Sequence, residues 1–300
     1  MSNKLFAATV PYPGHSTGKR YWLHQWQLTI PLTFFFLLFF IAPLLIMLII
    51  SLHTSQMMDE LGLDQYVRFF SDSLNLEIMW ATIWLGIKTT LVCLFIGYPI
   101  ALLFTWVSSK LQTLLVFLII LPLLTSSVVR TFAWVVILGR EGIINNSLLS
   151  LGLIELPARL LYTEWGLVAA LAQIWMPLMI LPLITTIVNI DPAIHEASRA
   201  LGAGAWRSFV RITLPLSMPG IVAGSLLVFA ASSTAFVVQS VIGGGRNIYL
   251  PVYMYQQASG LQNWPFSAAI AIIFLTSILL IFYTFDWISR RVVILPGQRS

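Results

Sequence analysis

The polar side chains that usually do chemistry are few in this chain, and their spacing builds neither a catalytic nor a metal site. The four histidines, His15, His24, His53 and His195, lack the spacing typical of metal ligands. No nucleophile is placed with a base and an orienting partner. The single cysteine, Cys93, lies in an apolar run, which excludes an internal disulfide framework. The sequence therefore predicts a protein that is not an enzyme and that holds no metal or cofactor of its own.

The segment from Gly14 to Arg20 has some features of a phosphate-binding loop. Its two glycines are separated by three residues rather than four, and Arg20 follows Lys19 where serine or threonine is required. No strand pattern precedes it. We therefore do not expect this chain to bind ATP.

Two cations, Lys88 and Arg130, lie inside long apolar segments. At the centre of a helix facing lipid each would cost about 2.5–3.5 kcal/mol, so we expect both to face protein or water. One interpretation is a pathway lining that favours an anionic or zwitterionic ligand. The other is structural, with Arg130 bonding backbone carbonyls or reaching outward.

Polar and aromatic side chains at comparable depths of three apolar segments form a candidate translocation pathway. Ligand sites often lie between helices, with mostly apolar walls and a few polar groups. The alternative is that the serines and threonines pack helices together and the tryptophans are packing or interface residues. The candidates are Arg130, Thr131, Trp134, Gln173, Trp175, Met176, Ser232, Ser233, Phe236 and Gln239.

The elements that carry these residues are predicted to be membrane-spanning helices. The chain is 58% hydrophobic and 9% charged, whereas a soluble domain carries about 25% charged residues. An apolar helix of about 20 residues crosses the hydrocarbon core, and lipid offers no partners for free backbone groups. Six segments qualify: Thr29 to Ile50, Trp80 to Trp106, Leu111 to Leu138, Trp165 to Val188, Pro219 to Ile242 and Pro265 to Ile288.

Lysine and arginine placement predicts the orientation. With a cytoplasmic N-terminus, ten of these residues lie in inside segments and four in outside segments, as the positive-inside rule favours. We therefore expect a multi-pass protein of the bacterial cytoplasmic (inner) membrane with both termini cytoplasmic. The expected organisation is an N-terminal segment 1–28, a six-helix transmembrane domain 29–290 and a tail 291–300.

The longest inside segment, 191–219, is predicted to form an elbow of two short helices. Asp191 can cap a helix that starts at Pro192 and proceeds to Leu201. Gly202 and Gly204 permit a sharp turn. A second helix, from Ala205 to Thr213, carries Arg207 and Arg211 four residues apart, and Pro215 and Pro219 close it.

The elbow resembles the EAA loop of permease subunits in bacterial ATP-binding-cassette importers. That pattern is Glu-Ala-Ala, three residues, Gly, nine residues, Ile, one residue, Leu-Pro. The match covers Glu196, Ala197, Gly202, Ile212, Leu214 and Pro215, with Ser198 replacing the second alanine. The resemblance implies an all-α, six-helix permease of the MetI-like type I class. It also implies that the elbow, including Arg207 and Arg211, docks on an ATPase.

Other segments are similar to the spermidine/putrescine permease group, among them IGYPIA at 96–101 and PGIVAGSLLVF at 219–229. That group also carries other small amines, amino acids and phosphonates. Its polyamine members often have carboxylates in and after the fifth span, whereas Ala235 and Ser240 stand at those places here. The resemblance therefore implies a small solute of this range as the cargo.

The resemblance also implies a set of partners. They are an ATPase dimer that binds the ATP and Mg²⁺, a second and non-identical permease subunit, a periplasmic or lipid-anchored binding protein, and membrane lipid, with no nucleic acid. The rival hypothesis is a secondary transporter or channel that needs no ATPase, and a third is an integral-membrane enzyme. The elbow distinguishes them, because a transporter without an ATPase has no reason to keep it.

Overall fold

The computed structural model describes residues 30–245 and 247–293. The predicted segment 1–28 and residues 294–300 of the predicted tail lie outside this range. Within it all regular elements are helices, which confirms the all-α expectation. The chain divides into two units, Met1–Ile50 and Ser51–Ser300, and each is described by itself.

Helix α1, Ile30–Ser51, belongs to the first unit except for its last residue, and it is long and apolar enough to cross a membrane. It agrees closely with the first predicted span. Its aromatic side chains pair one turn apart, with ring centroids 4.7 Å apart for Phe35 and Phe39 and 4.8 Å for Phe36 and Phe40. Residues at i and i+4 face the same side of a helix, which accounts for both pairs.

The second unit contains the remaining helices. In chain order they are α2 (Asp64–Ser71), α3 (Ser73–Trp106), α4 (Ser109–Ile120), α5 (Ser127–Leu138), α6 (Ile143–Ser150), α7 (Glu164–Val188), α8 (Pro192–Ala200), α9 (Ala205–Leu216), α10 (Met218–Ser233), α11 (Phe236–Ile242), α12 (Leu250–Tyr255) and α13 (Trp264–Val293). The long helices α3, α7 and α10 pack against one another and form the centre of this unit.

Small residues allow these three helices to approach closely, as is common in membrane bundles. A Cβ added to Gly220 of α10 would lie 2.8 Å from the carbonyl oxygen of Pro182 in α7. A Cβ added to Gly224 would lie 2.8 Å from the sulfur of Met179. The glycines of the PGIVAGSLLVF run therefore set the spacing between α7 and α10.

Two of the predicted spans are not continuous helices. The third, Leu111 to Leu138, stops after α4, forms a 3₁₀ turn at Leu121–Leu124, and resumes as α5. Its two parts, Ser109–Leu124 and Ser127–Ser150, meet at 96°. Pro122 lies in the turn, and its missing N–H and fixed φ favour a break there. By contrast, α3 continues through Pro99, and α7 through Pro177 and Pro182.

The fifth predicted span, Pro219 to Ile242, is also interrupted. α10 ends at Ser233 and α11 begins at Phe236. Among the described residues, four helices are long enough to cross a membrane, or up to six if each bent pair counts as one span. The second bent pair is α9 with α10, which meet at 60°.

The connection between α5 and α7 is ordered by one buried side chain. Asn145 donates to the carbonyls of Gly139 (2.9 Å) and Ala158 (3.0 Å) and accepts from the N–H of Ala158 at 2.9 Å. The segment before α12 is fixed in a similar way, since Thr82 Oγ1 of α3 accepts from the N–H of Leu250 at 2.8 Å. Both connections lie on the side of the bundle opposite the 191–219 elbow.

Candidate functional site

The elbow begins with the predicted helix cap. Asp191 precedes α8, and its Oδ1 accepts a hydrogen bond from the N–H of Ala193 at 2.9 Å. Pro192 occupies the first helical position, where a missing N–H costs nothing. The capping prediction is thus confirmed, although α8 ends at Ala200 rather than Leu201.

The turn after α8 is a Schellman motif, the helix ending that favours glycine. The N–H of Ala203 donates to the carbonyl of Ser198 (3.1 Å), and the N–H of Gly202 donates to that of Arg199 (2.9 Å). Gly202 has φ +77°, a left-handed conformation that costs other residues about 1–2 kcal/mol. The predicted need for glycine is confirmed at Gly202, whereas Gly204 has φ −68° and no such requirement.

The second helix is longer than predicted. α9 continues past Thr213 through Pro215 to Leu216 before the chain bends into α10. Its middle, Phe209–Thr213, is wound as a wider π-type turn, a feature that often marks functional sites. Pro215 therefore does not end this helix at Thr213, since it lies in the last turn, Leu214–Leu216, which follows the wider turn, and Pro219 lies in the first turn of α10.

The two short helices are fixed to each other and to α3. His195 Nδ1 lies 3.3 Å from Ser208 Oγ, a contact that joins α8 to α9. The rings of Phe209 and Tyr98 meet edge to face at 5.8 Å. The Tyr98 hydroxyl lies 2.8 Å from Ser217 Oγ, at the bend between α9 and α10. A cavity of about 750 Å³ lies between the elbow and the adjacent ends of α3, α4 and α7.

The predicted coupling residues divide into an exposed and a packed group. Ser198 is buried, and Ile212, Leu214 and Pro215 are partly buried. Apolar side chains that sequence reasoning did not select are also exposed here, namely Leu201 (88%) and Trp206 (76%). The exposed members of the predicted set are Glu196, Ala197, Gly202, Arg207 and Arg211.

The predicted pathway residues form two separate groups, and the first joins α5 to α7. Arg130 donates to the carbonyl of Ile174 at 3.2 Å and to Ser127 Oγ at 3.4 Å. Trp134 Nε1 donates to Gln173 Oε1 at 3.1 Å. The structural interpretation of Arg130 predicted a bond to a backbone carbonyl, and the contact with Ile174 is such a bond.

Three further candidates lie near this first group. Thr131 is fully buried and bonds the carbonyl of Ser127. Trp175 Nε1 is buried and finds no hydrogen-bond partner among the described residues. Met176, with Gln173, lines a groove of about 560 Å³ between α3, α4 and α7.

The second group surrounds the break between α10 and α11. Ser232 and Ser233 are fully buried at the end of α10, and Gln239 is 1% exposed. Phe236 starts α11, and its ring lies 5.0 Å from that of Tyr255. The structure therefore does not bring all the predicted pathway residues into one cavity.

Sequence reasoning missed the partner of Lys88. Its Nζ lies 2.6 Å from Glu164 Oε1, and the two side chains are 20% and 36% exposed. The ammonium also lies 5.6 Å from the ring of Trp84 and 5.7 Å from that of Trp165. Burial raises the pKa of Tyr249, in the loop before α12, and the Glu164 charge acts in the same direction. Glu164 is the first residue of α7. Its position at the boundary of a predicted span was the sequence signal that could have identified it as the partner of Lys88.

The chain matches the model of one protein family over residues 93–294. That family is described as the binding-protein-dependent transport system inner membrane component. The matched range contains the second part of α3 from Cys93 onward, the whole elbow and all helices from α4 to α13.

Several curated relatives are similar over most of the chain. The spermidine/putrescine transport system permease protein PotB of Haemophilus influenzae is 34% identical over 251 residues, which are 82% of this chain and 87% of the relative. PotB of Escherichia coli is 36% identical over 210 residues, 70% of this chain and 76% of the relative. The molybdenum transport system permease protein ModB of Escherichia coli is 29% identical, with 70% and 93% covered.

The fold is also shared with solved structures. A bacterial transporter that imports the acidic polysaccharide alginate contains a chain that superposes with a TM-score of 0.75. The alignment covers 91% of this chain and 96% of that chain, at 21% identity. A second structure of a bacterial alginate transporter, in complex with a pentasaccharide-bound periplasmic protein, gives the same TM-score.

Proposed function

Since the chain belongs to the family of binding-protein-dependent transport system inner membrane components, we propose that its 191–219 elbow docks on a separate ATPase and couples ATP hydrolysis to solute movement. The chain is a permease subunit of an ATP-binding-cassette importer and is homologous to the spermidine/putrescine permeases. As the motor we propose an ATPase dimer, which supplies the ATP and Mg²⁺ chemistry that this chain does not perform.

The observation that carries the coupling proposal is the rigid, solvent-exposed elbow. Its turn is fixed by the Gly202 Schellman motif, and its helices are joined by His195 and Ser208. Leu201 and Trp206 leave large apolar surfaces uncovered at its tip, and such surfaces mark sites of protein–protein contact. Glu196, which is exposed and lines the same cavity as Trp206, supplies a charge that orients the docking partner.

Replacing the turn glycine tests this proposal. Gly202→Val places a β-branched residue at φ +77°, so we expect the turn to open and the ATPase to dissociate. Glu196→Ala removes the exposed charge without straining the backbone. We expect both variants to retain less ATPase during co-purification and to lower uptake by about tenfold or more, the range of coupling between sites.

Gly204→Ala is the matched control. Gly204 lies in the same turn, but it has φ −68° and open space around its Cα. We expect this variant to assemble and transport as the parent chain does. Normal assembly and uptake by the Gly202→Val and Glu196→Ala variants would contradict the coupling assignment.

For the cargo we propose a small organic amine of the polyamine type. The support is the identity of 34–37% to permeases named for spermidine and putrescine. The fold itself does not select the cargo, because permeases named for molybdenum and alginate transport share it. Uptake of labelled putrescine, spermidine and amino acids by the assembled importer would test this, and amino-acid uptake without amine uptake would contradict it.

We propose two further partners, a non-identical permease that completes the pathway and a periplasmic or lipid-anchored binding protein that delivers the solute. The family description and the alginate complex with its periplasmic protein support the binding protein. The predicted pathway residues that are at least partly exposed would then face the second permease, namely Arg130, Trp134, Gln173, Trp175, Met176 and Phe236. Co-expression tests this: uptake that needs only this chain, the ATPase and the binding protein would contradict the second permease.

A further inference from the structure

The break in the fifth apolar segment is held by one buried side chain. In a continuous helix the N–H of Phe236 would bond the carbonyl of Ser232, but here it donates to that of Thr234 at 2.8 Å. Gln239 Nε2 reaches back across the break and donates to the carbonyls of Ser232 (2.9 Å) and Ser233 (3.1 Å). A side-chain amide from α11 thus replaces backbone hydrogen bonds at the end of α10.

The helices on the two sides of the break have different main neighbours. α10 lies between α3 and α7, with the close approaches at Gly220 and Gly224 described above. α11 packs mainly against α5 and also contacts α7. The break therefore separates a helix held between α3 and α7 from one held mainly by α5.

The other end of α10 is connected to the elbow. α9 enters α10 through a 60° bend, and the Tyr98–Ser217 contact of 2.8 Å fixes α10 to α3 at that point. A force applied to the elbow therefore passes into α10 along the chain and reaches the break at its far end.

The hydrogen bonds at the break are incomplete. Gln239 Oε1 and Ser233 Oγ are both buried and have no partner among the described residues. An unmade hydrogen bond at a buried group costs free energy. A second arrangement of α11 that satisfies these groups would regain this free energy, which offsets part of the cost of moving the helix, as a two-state element requires.

We propose that the break at Thr234 and Ala235 is a joint at which α11 changes its angle to α10 during transport, and that Gln239 is the positioning residue that sets this angle. The inference rests on the proposed function only for its driving force, an ATPase that moves the elbow. Removing the amide should therefore separate ATP hydrolysis from solute movement while leaving the ATPase docked.

The first test is Gln239→Leu in the complete importer, reconstituted with its partner subunits and binding protein. We expect the ATPase to co-purify as it does with the parent chain and to keep hydrolysing ATP. Uptake should fall about tenfold, as expected when coupling between sites is lost. Gln239→Met, which keeps the side-chain length, provides a second variant should leucine prevent assembly.

Gln257→Leu is the matched control, because it makes the same chemical change at a buried glutamine away from the break. Gln257 is 6% exposed, and its Oε1 likewise has no partner among the described residues. We expect uptake and ATP hydrolysis by this variant to remain coupled. Equal uptake losses in the Gln239 and Gln257 variants would mean that removing any buried amide lowers uptake, and this result would contradict a specific role of the joint.

A distance measurement tests the joint directly. With Cys93 replaced by serine, spin labels at Leu227 of α10 and Val241 of α11 report the angle between the two helices. We expect their separation to differ between the nucleotide-free and the vanadate-trapped importer. An unchanged separation, or normal coupling in Gln239→Leu, overturns the joint. Failure of the ATPase to co-purify with the parent chain would instead count against the proposed function.

Discussion

At the scale of single residues, the charged side chains within the apolar helices are engaged by protein groups. Lys88 pairs with Glu164, and Arg130 donates to the carbonyl of Ile174. A charge in an apolar environment is tolerated only with such partners. These contacts favour a structural role for both cations over direct contact with the cargo.

The Lys88–Glu164 pair leads to a prediction about stability. Lys88→Met leaves the Glu164 carboxylate without its partner, so we expect the variant to lose about 1–3 kcal/mol. The double variant Lys88→Met with Glu164→Gln leaves no charge behind and should recover most of this loss. Thermal unfolding of the purified subunit, followed by tryptophan fluorescence, measures both effects.

Arg140→Met serves as the control for the Lys88→Met variant, because Arg140 is an exposed cation in the connection between α5 and α6. Its removal should change the unfolding temperature little. The two side chains do not interact if the double variant loses as much stability as the Lys88→Met and Glu164→Gln single variants lose together.

At the scale of elements, the glycines of α10 determine how closely it packs against α7. A Cβ on Gly220 would lie 2.5 Å from Thr186 Oγ1 and 2.8 Å from the carbonyl oxygen of Pro182. The hydroxyl can rotate away, but the backbone carbonyl cannot. α10 and α7 must therefore separate to admit even one methyl group.

We accordingly expect Gly220→Ala to destabilise the bundle by about 1–3 kcal/mol, the usual cost of overpacking. Alanine is a better helix former than glycine by about 1 kcal/mol, which offsets part of this cost. Ala223→Val, on the exposed side of the same helix, is the control and should be nearly neutral. A Gly220→Ala subunit that unfolds at a higher temperature than the parent would contradict the close approach.

At the scale of the whole molecule, the helices place the elbow and the α5–α7 connection on opposite sides of the bundle. The arginines and lysines predict that the elbow side is cytoplasmic. This orientation is a proposal that labelling can test in intact cells.

In a chain with Cys93 replaced by serine, we expect Glu155→Cys to react with a membrane-impermeant maleimide from outside. Arg207→Cys, in the elbow, should react only after the membrane is permeabilised. Glu155 and Arg207 are both exposed, so accessibility to water does not distinguish them. The reverse labelling pattern would show that the chain is inserted with the opposite orientation.

Local sequence patterns determined the membrane helices and the elbow of this protein. Apolar length alone predicted membrane helices, since a segment crosses lipid only if its own backbone is hydrogen-bonded. The elbow was predictable as well, because a cap such as Asp191 and a left-handed glycine such as Gly202 act within a few residues of themselves. The resemblance of the elbow to the EAA loop implied the permease family, which the match to the family model confirms.

Only the tertiary structure decided how distant residues combine. Lys88 and Glu164 are 76 positions apart, and no local pattern pairs them. The break after Ser233 contains no proline or glycine that would predict it from the sequence. It is held by the side-chain amide of Gln239 in the following helix. The predicted pathway residues separated into two groups because helix rotation and bending depend on packing against neighbours, which a single segment does not encode.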